Sequence, residues 1–177
     1  NLIWFLLAGV WIFFAVVANN FLSMGNLVNI FFNAAVLGIL VVGQTFTLLT
    51  GNFDLSMEST LGLCGLLGIW LITTAGPPYY GSGLGMSPWV AVVVLLLVGL
   101  AIGALNGFLI TVMRMNNFVV TLAMLIIVRG VALVLNNGQT AYSVDAAYNW
   151  IGLGKLGPVP MPVVVSLALF VIAYIVT

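Results

Sequence analysis

Charged side chains are scarce in this sequence. Its 177 residues include three Lys or Arg, three Asp or Glu and no His, so that 3% are charged. A soluble domain carries about 25% charged residues. With 64% hydrophobic residues and a mean hydropathy of +1.33, this chain cannot cover its surface with polar groups. The composition therefore predicts an integral membrane protein.

The missing residue types also exclude several kinds of site. The formal net charge is zero and no basic cluster is present, so nothing indicates nucleic-acid binding. The single cysteine, Cys64, lies in an apolar run, which rules out a disulfide framework within the chain. Because there is no His, a metal site built on Cys and His is excluded as well. We expect no metal site and no nucleic-acid partner.

Long apolar runs make up most of the remaining sequence. They do not alternate with polar residues, as the strands of a transmembrane barrel would. We predict an all-α fold, a polytopic transmembrane helix bundle, in which residues 1–177 form one domain. Six spans are expected, at about residues 2–18, 30–49, 55–74, 88–112, 118–135 and from 161 onward. A short interfacial lead-in is expected at 21–29 and a short helix at about 144–150.

Neither end of the sequence carries a recognisable boundary signal. The first residues carry neither a basic segment nor a cleavage pattern, so they do not indicate a signal peptide. The last residues stop inside an apolar run without a polar tail. We expect the chain to be a fragment of a longer protein, truncated within helices at both ends.

The most polar stretch separates the second and third spans, at residues 42–60. Two of the three acidic residues, Asp54 and Glu58, lie here, four apart, so they would share a face if the segment is helical. Gly51 and Asn52 are turn residues that break the helix. Carboxylates between apolar spans usually mark a terminus, a gate or a solute path. The alternative is capping of the third span by Asp54 or Ser56, where the helix dipole favours acidic groups.

Other polar residues lie within the spans. Asn33, Gln44, Thr45 and Thr47 are on the second span and Asn106 is on the fourth. Such side chains usually face the interior of a helix bundle. They either form ordinary hydrogen bonds between helices or line a path.

The arginines indicate the orientation of the spans. Arg114 lies in a very short link, which the positive-inside rule places in the cytoplasm, together with the break at 50–56. Arg129 follows 15 residues later, or roughly 22 Å along a helix, in the outer half of the membrane. It either snorkels outward or faces the bundle interior. Tyr79 and Tyr80, in the loop after the third span, suit a membrane interface.

Glycines recur at regular spacing on two spans. Gly62, Gly65 and Gly68 are three apart, and Gly99, Gly103 and Gly107 are four apart. Small residues at such spacing allow helices to approach closely. We predict a helix-packing role for these six positions.

Two sequence blocks resemble a known family. Residues 43–56, GQTFTLLTGNFDLS, are similar to G-x-T-x-x-[IL]-x-T-G-G-I-D-L-S. Residues 103–110 (GALNGFLI), 117–124 (NFVVTLAM) and 128–130 (VRG) are similar to G-x-x-N-G-x-[LV]-[IV], P-F-I-x-T-L-x-[TM] and [LF]-R-G. The family is that of bacterial monosaccharide ABC-importer permeases, the membrane subunits for ribose, arabinose, xylose, galactose and autoinducer-2.

The resemblance covers about residues 21–140 and includes departures. Asn52 and Phe53 replace the usual Gly and Ile, Glu58 replaces a Gly, and Asn117 stands where Pro is common. These substitutions affect the expected identity of the solute more than the family.

The resemblance implies a multi-pass permease domain in the bacterial inner (plasma) membrane. Its expected partners are a second permease subunit, identical or paralogous, a cytoplasmic ABC ATPase, a periplasmic sugar-binding protein and the lipid bilayer. ATP would be hydrolysed on the separate ATPase chain. The permease would then be no enzyme, with no catalytic residue and no cofactor, and would carry sugar by alternating access.

A neutral polyol needs hydroxyl and amide partners more than strong charges. On this basis we hypothesise a set of residues that line or gate the sugar path. They are Asn33, Gln44, Thr45, Thr47, Asn52, Asp54, Glu58, Asn106 and Arg129.

Other functions remain open from the sequence. The chain could be a structural or assembly subunit in which Asp54, Glu58 and Arg129 only fix the helices. It could be an ion-coupled secondary transporter with Asp54 or Glu58 as a proton or sodium site. An ABC permease for branched-chain amino acids or cobalamin is a nearer neighbour, although the segment 50–56 favours sugars. A channel is least expected, because no filter-like segment is present.

Overall fold

Helices dominate the computed structural model, which describes residues 2–74, 84–140 and 145–176. Within these residues the helices are α1 Leu2–Val17, α2 Met24–Leu49, α3 Met57–Ile72, α4 Pro88–Thr111, α5 Asn117–Leu135, α6 Ala146–Leu153 and α7 Met161–Val176. Two short strands, β1 Lys155–Leu156 and β2 Val159–Pro160, pair antiparallel before α7. The predicted all-α fold is confirmed.

The six predicted apolar spans all form helices of this fold. Among the described residues, α2, α4 and α5 are long and apolar enough to cross a membrane, with 26, 24 and 19 residues. The apolar helices α1, α3 and α7 have 16 residues each, or roughly 24 Å, slightly less than a bilayer core of about 30 Å. The chain is a membrane protein.

The second helix begins earlier than predicted. The lead-in at 21–29 was expected to lie outside the helix, yet α2 starts at Met24. The Ser23 hydroxyl accepts a hydrogen bond from the Asn26 backbone N–H at 3.3 Å, and the Asn26 amide donates to the Phe21 carbonyl at 2.7 Å. A serine that caps the first turn in this way starts a helix.

Some predicted features fall outside the described residues. Tyr79 and Tyr80, expected at a membrane interface, are among them. The short helix predicted at 144–150 is present as α6, which begins at Ala146, and Val144 lies outside the described part of the chain.

The chain divides into two compact units. One comprises Asn1–Ile39 and Lys155–Thr177, and the other Leu40–Gly154. In the first unit, Phe21 packs edge-on against Trp11 with ring centroids 5.4 Å apart. A Cβ added at Gly38 of α2 would meet the Ser166 hydroxyl of α7.

The second unit is built around α3, which packs against α4 and α5. Its buried centre consists of Leu63, Met124 and Val128. Close packing and hydrogen bonds associate such helices in lipid, because lipid tails are as apolar as leucine. Asn116 caps α5 by accepting hydrogen bonds from the backbone N–H groups of Phe118 and Val119, which fixes where α5 begins.

The glycines predicted to pack helices behave differently from one another. A Cβ at Gly68 would collide with the Tyr148 hydroxyl of α6 and lie 3.0 Å from Leu95 of α4. Burial raises the pKa of Tyr148 above its ordinary value, with a smaller contribution from Cys64. At the other five positions a Cβ would meet nothing within 4 Å among the described residues, so their packing role stays a prediction. These positions are Gly62, Gly65, Gly99, Gly103 and Gly107.

Candidate functional site

A non-helical break joins α2 to α3. Gly51 has φ +75°, a left-handed conformation that glycine adopts readily. Its N–H donates to the Leu48 carbonyl at 2.9 Å, and the Asn52 N–H donates to the Thr47 carbonyl at 3.0 Å. This pair of bonds is a Schellman motif, which ends a helix at a glycine. The predicted helix break is confirmed, and we call residues 50–56 the break segment.

Asp54 organises the start of α3. Its carboxylate oxygen Oδ1 accepts hydrogen bonds from both the backbone N–H and the hydroxyl of Ser56, each at 2.7 Å. Ser56 is the N-cap residue, but its own side chain makes no capping bond. Because α3 begins at Met57, Asp54 precedes the helix and does not share a helical face with Glu58.

Gln44 binds the backbone of the break segment. In the amide orientation that satisfies both of its polar atoms, Nε2 donates to the Asp54 carbonyl at 3.0 Å. Oε1 then accepts from the Asp54 N–H at 3.2 Å. One side chain thus pairs both backbone polar groups of Asp54. Such pairing is needed because backbone groups left unsatisfied in a membrane cost several kcal/mol.

Asn106 holds the break segment from α4. Its amide Nδ2 donates to the Ser56 hydroxyl at 2.8 Å. Asn106 and Ser56 are 4% and 1% exposed, so this bond is shielded from solvent. The other amide atom of Asn106, Oδ1, is buried without a partner among the described residues.

Helix α5 binds the break segment from another direction. The Asn117 amide donates to the Phe53 carbonyl at 2.9 Å. The Thr121 hydroxyl lies 3.5 Å from the same carbonyl and 2.9 Å from that of Asn117. Side chains of α2 and α5 therefore satisfy the irregular backbone, while Asn106 of α4 binds the Ser56 side chain.

The break segment lies beside α4 and α5 and not beyond their ends, with Ser56 buried and Phe53 exposed. Asn106 comes five residues before the end of α4 at Thr111, or about 7.5 Å along the helix axis. Thr121 comes four residues after the start of α5, or about 6 Å. Irregular backbone at such depth is tolerated only where it is buried in protein or lines a water-filled cavity.

A cleft of about 510 Å³ opens along the break segment, and we call it the break cleft. Its lining combines hydroxyl, amide and carboxylate groups with small and apolar side chains. The lining residues are Thr47, Thr50, Asn52, Phe53, Asp54, Gly103, Asn106, Gly107, Ile110, Thr111, Asn117 and Thr121.

A second cleft, of about 450 Å³, lies between α3 and α5, and we call it the charged cleft. Glu58 of α3 and Arg129 of α5 both line it and are both exposed. Across the described ranges they form no ion pair within 4.0 Å. The remaining lining residues are Ser59, Gly62, Leu63, Leu125 and Ala132.

Three residues of the hypothesised path line neither cleft. Asn33 and Thr45 are exposed on α2 and donate to the carbonyls of Asn29 and Val41 in their own helix, each at 2.8 Å. Gln44 is engaged with Asp54. The path role of these three residues stays a prediction, as it does for the six that line a cleft.

The structure also adds residues that the hypothesised path did not contain. Thr50, Asn117 and Thr121 line the break cleft, and Ser56 links Asp54 to Asn106. Asn117 and Thr121 are four apart at the start of an apolar helix. That spacing puts two polar groups on one face, and it is the signal that could have found them.

Comparison with known proteins shows that this chain is similar to the permease components of transport systems. The family model described as "Branched-chain amino acid transport system / permease component" matches residues 26–177. The ribose import permease protein RbsC of Escherichia coli (strain K12) is 33% identical over 159 residues, which is 88% of this chain and 46% of that protein. No solved structure matches the chain at a significant level.

Two further relatives carry the names of other sugars. The xylose transport system permease protein XylH of Escherichia coli (strain K12) is 31% identical over 140 residues, 77% of this chain and 32% of that protein. The D-allose transport system permease protein AlsC of the same strain is 29% identical over 158 residues, 89% of this chain and 45% of that protein. The chain spans half or less of the length of these relatives.

These relatives confirm the resemblance to sugar-importer permeases. The match of the family model takes in the whole break segment and both clefts. On that match, the chain belongs to the permease component family of the branched-chain amino acid transport system type.

Proposed function

We propose that this chain is part of the transmembrane subunit of an ATP-binding-cassette importer, and that it carries a monosaccharide or similar small polyol by alternating access. The observation that carries the proposal is the break cleft, where hydroxyl, amide and carboxylate side chains lie beside irregular backbone among apolar helices. The relatives named for ribose, xylose and allose transport support the sugar reading.

The chemistry of the break cleft favours a neutral solute. Threonine hydroxyls and asparagine amides supply donors and acceptors of hydrogen bonds, and Asp54 is the charged side chain in the lining. An amino acid carries an ammonium and a carboxylate, so its carboxylate would lack a cationic partner here. A sugar can bond to hydroxyl and amide groups through each of its hydroxyls. We therefore favour a sugar over a branched-chain amino acid.

The break segment also supplies a way for the helices to move. Few side-chain bonds from the described helices hold it, and these come from Gln44, Asn106, Asn117 and Thr121. Exchanging them would let α3 shift relative to α2 while each helix stays rigid, as in known hinge transitions. Under the orientation expected from Arg114, this movement takes place at the cytoplasmic side of the inner membrane.

The proposal requires partners. A second permease subunit would complete the path, a cytoplasmic ABC ATPase would drive it, and a periplasmic sugar-binding protein would deliver the sugar. ATP hydrolysis would take place on the ATPase, and this chain would perform no bond chemistry.

Co-purification of the full-length protein from gently solubilised membranes tests this function. We expect an ABC ATPase and a sugar-binding protein among the recovered chains, and ATP-dependent sugar uptake once they are reconstituted in proteoliposomes. Recovery of a lone membrane protein whose uptake follows an ion gradient would contradict the proposal and favour a secondary transporter.

A further inference from the structure

One face of α5 connects the two clefts. Asn117, Thr121, Leu125 and Arg129 are successively four residues apart, so they lie along a single stripe of the helix. The first two line the break cleft and the last two line the charged cleft. The stripe extends over about 18 Å. A solute that leaves the break cleft along α5 therefore reaches the charged cleft directly.

The opposite wall of the charged cleft leaves room for a ligand. Glu58 and Gly62 are four apart on α3, and a Cβ at Gly62 would meet nothing within 4 Å in the described part of the chain. The cleft therefore has open space between α3 and α5, beside the two charged side chains.

The two charges of this cleft need a polar environment. Facing lipid, a carboxylate or a guanidinium in an apolar helix is costly, and neither Glu58 nor Arg129 is paired across the described ranges. The carboxylate accepts hydrogen bonds and the guanidinium donates them. Two neighbouring hydroxyls of a sugar fit this pair, because each hydroxyl both donates and accepts. A simple anion or cation would leave one of the two charges without a partner.

We propose that the charged cleft is a second polyol subsite, in which Glu58 accepts and Arg129 donates hydrogen bonds to adjacent hydroxyls of the transported sugar. This proposal rests on the proposed function and names the part of the path next to the break cleft. A zwitterion such as an amino acid or a phosphoethanolamine headgroup would also satisfy both charges. Continuity with the uncharged amides and hydroxyls of the break cleft favours the sugar.

Thiol protection in the full-length complex tests the subsite. Gly62→Cys, with Cys64→Ala to remove the native thiol, places a reactive group in the charged cleft. We expect N-ethylmaleimide to modify it, and D-ribose, D-xylose or D-allose to slow the reaction. At a sugar concentration about four times its Kd the rate should fall about fivefold, because only the empty cleft reacts.

Gly65→Cys in the same background is the matched control. Gly65 is on the same helix and its Cβ also meets nothing within 4 Å, yet it lines neither cleft. Sugar should leave its modification rate unchanged. Adding Glu58→Gln or Arg129→Gln to the Gly62→Cys protein should remove the protection by sugar without blocking the modification itself.

The outcomes that would overturn the subsite differ from the outcome that would overturn the proposed function. Wild-type complex that imports one of the three sugars, with no protection at position 62 by that sugar, would overturn the subsite and leave the importer standing. Protection by glycine or phosphoethanolamine in place of sugar would also overturn it, as would a thiol at position 62 that does not react at all. Wild-type complex without ATP-dependent sugar uptake contradicts the function itself.

Discussion

Gln44 illustrates how one side chain supports an irregular backbone in a membrane. Its amide pairs with both the N–H and the carbonyl of Asp54, much as a neighbouring strand would. The sequence indicated that Gln44 faces the bundle interior, but not this bond. Its partner lies ten residues away across a break, where helical periodicity no longer relates positions.

Replacing Gln44 by leucine should destabilise the protein. Both backbone groups of Asp54 would lose their partner, and one buried polar group left unsatisfied costs about 1–3 kcal/mol. We expect a clear fall in the thermal unfolding midpoint of the solubilised full-length protein.

Thr45→Val is the matched control for Gln44→Leu. Thr45 is the next residue of α2, is exposed and, as far as the described residues extend, bonds only within its own helix. We expect a change within about 0.5 kcal/mol. Equal midpoints for the two variants would contradict the role assigned to Gln44.

Asn117 shows how a departure from a family pattern can add an interaction. Proline, common at this position in the family that the sequence resembles, lacks a side-chain amide to donate to the Phe53 carbonyl. From the sequence alone Asn117 is only a departure from the family pattern, because no local feature predicts that the Phe53 carbonyl lies nearby. The bond from Asn117 to the Phe53 carbonyl is seen in the structure and could not be predicted from the family pattern.

Asn117→Pro should fold and lose only a little stability. Asn117 is the first residue of α5, a position where proline is well tolerated, and Asn116 before it is extended at ψ 124°, as a pre-proline residue should be. Loss of the bond to Phe53 costs about 1 kcal/mol. A protein that no longer assembles, judged by gel filtration of the solubilised complex, would count against this account of the break segment.

At the scale of elements, the sequence predicts the ends of helices well where a glycine or a proline marks the boundary. The end of α2 at Leu49 and the start of α4 at Pro88 agree with the predicted bounds, because Gly51 and Pro88 act through local backbone geometry. The start of α2 was missed because Ser23 and Asn26 lie in a polar stretch that resembles a loop. Their capping bonds depend on the chain folding back toward Phe21.

The regular spacing of the glycines did not indicate which of them contact a neighbouring helix. Six positions share the pattern of a packing face, but only Gly68 meets a neighbouring helix among the described residues. Its neighbour, Tyr148 of α6, comes from a loop helix 80 positions later in the chain. Spacing along one helix carries no information about such a partner.

Gly68→Ala should therefore destabilise the protein more than Gly65→Ala. The added methyl group at Gly68 would force Tyr148 and Leu95 to move, and overpacking of this kind costs about 1–3 kcal/mol. At Gly65 the methyl enters open space and should favour the helix slightly. Thermal unfolding of both variants measures the difference, and a Gly65→Ala protein that is the less stable of the two would disprove it.

At the scale of the whole molecule, the sequence placed the polar segment between two apolar spans and assigned Asp54, Glu58, Asn106 and Arg129 to one path. The structure divides these residues between two clefts. The sequence could not foresee this division, because it depends on where α3 begins and on how α3 packs against α4 and α5. The curated relatives extend well beyond the part of the permease seen here.

Passage of solute through the break cleft can be tested at glycines of α4, without changing any polar group. Gly107 lines the cleft and Gly99 does not, while a Cβ at either meets nothing within 4 Å. Gly107→Leu should fill the cleft, and Gly99→Leu controls for a leucine at the same spacing on the same helix.

The decisive measurement is ATP-dependent sugar uptake by proteoliposomes that contain the full complex, with each variant first shown to co-purify with the ATPase. We predict that Gly107→Leu lowers the initial uptake rate at least about tenfold, equivalent to about 1.4 kcal/mol, while Gly99→Leu stays close to wild type. Uptake by an assembled Gly107→Leu complex at the wild-type rate would show that the solute does not pass through the break cleft.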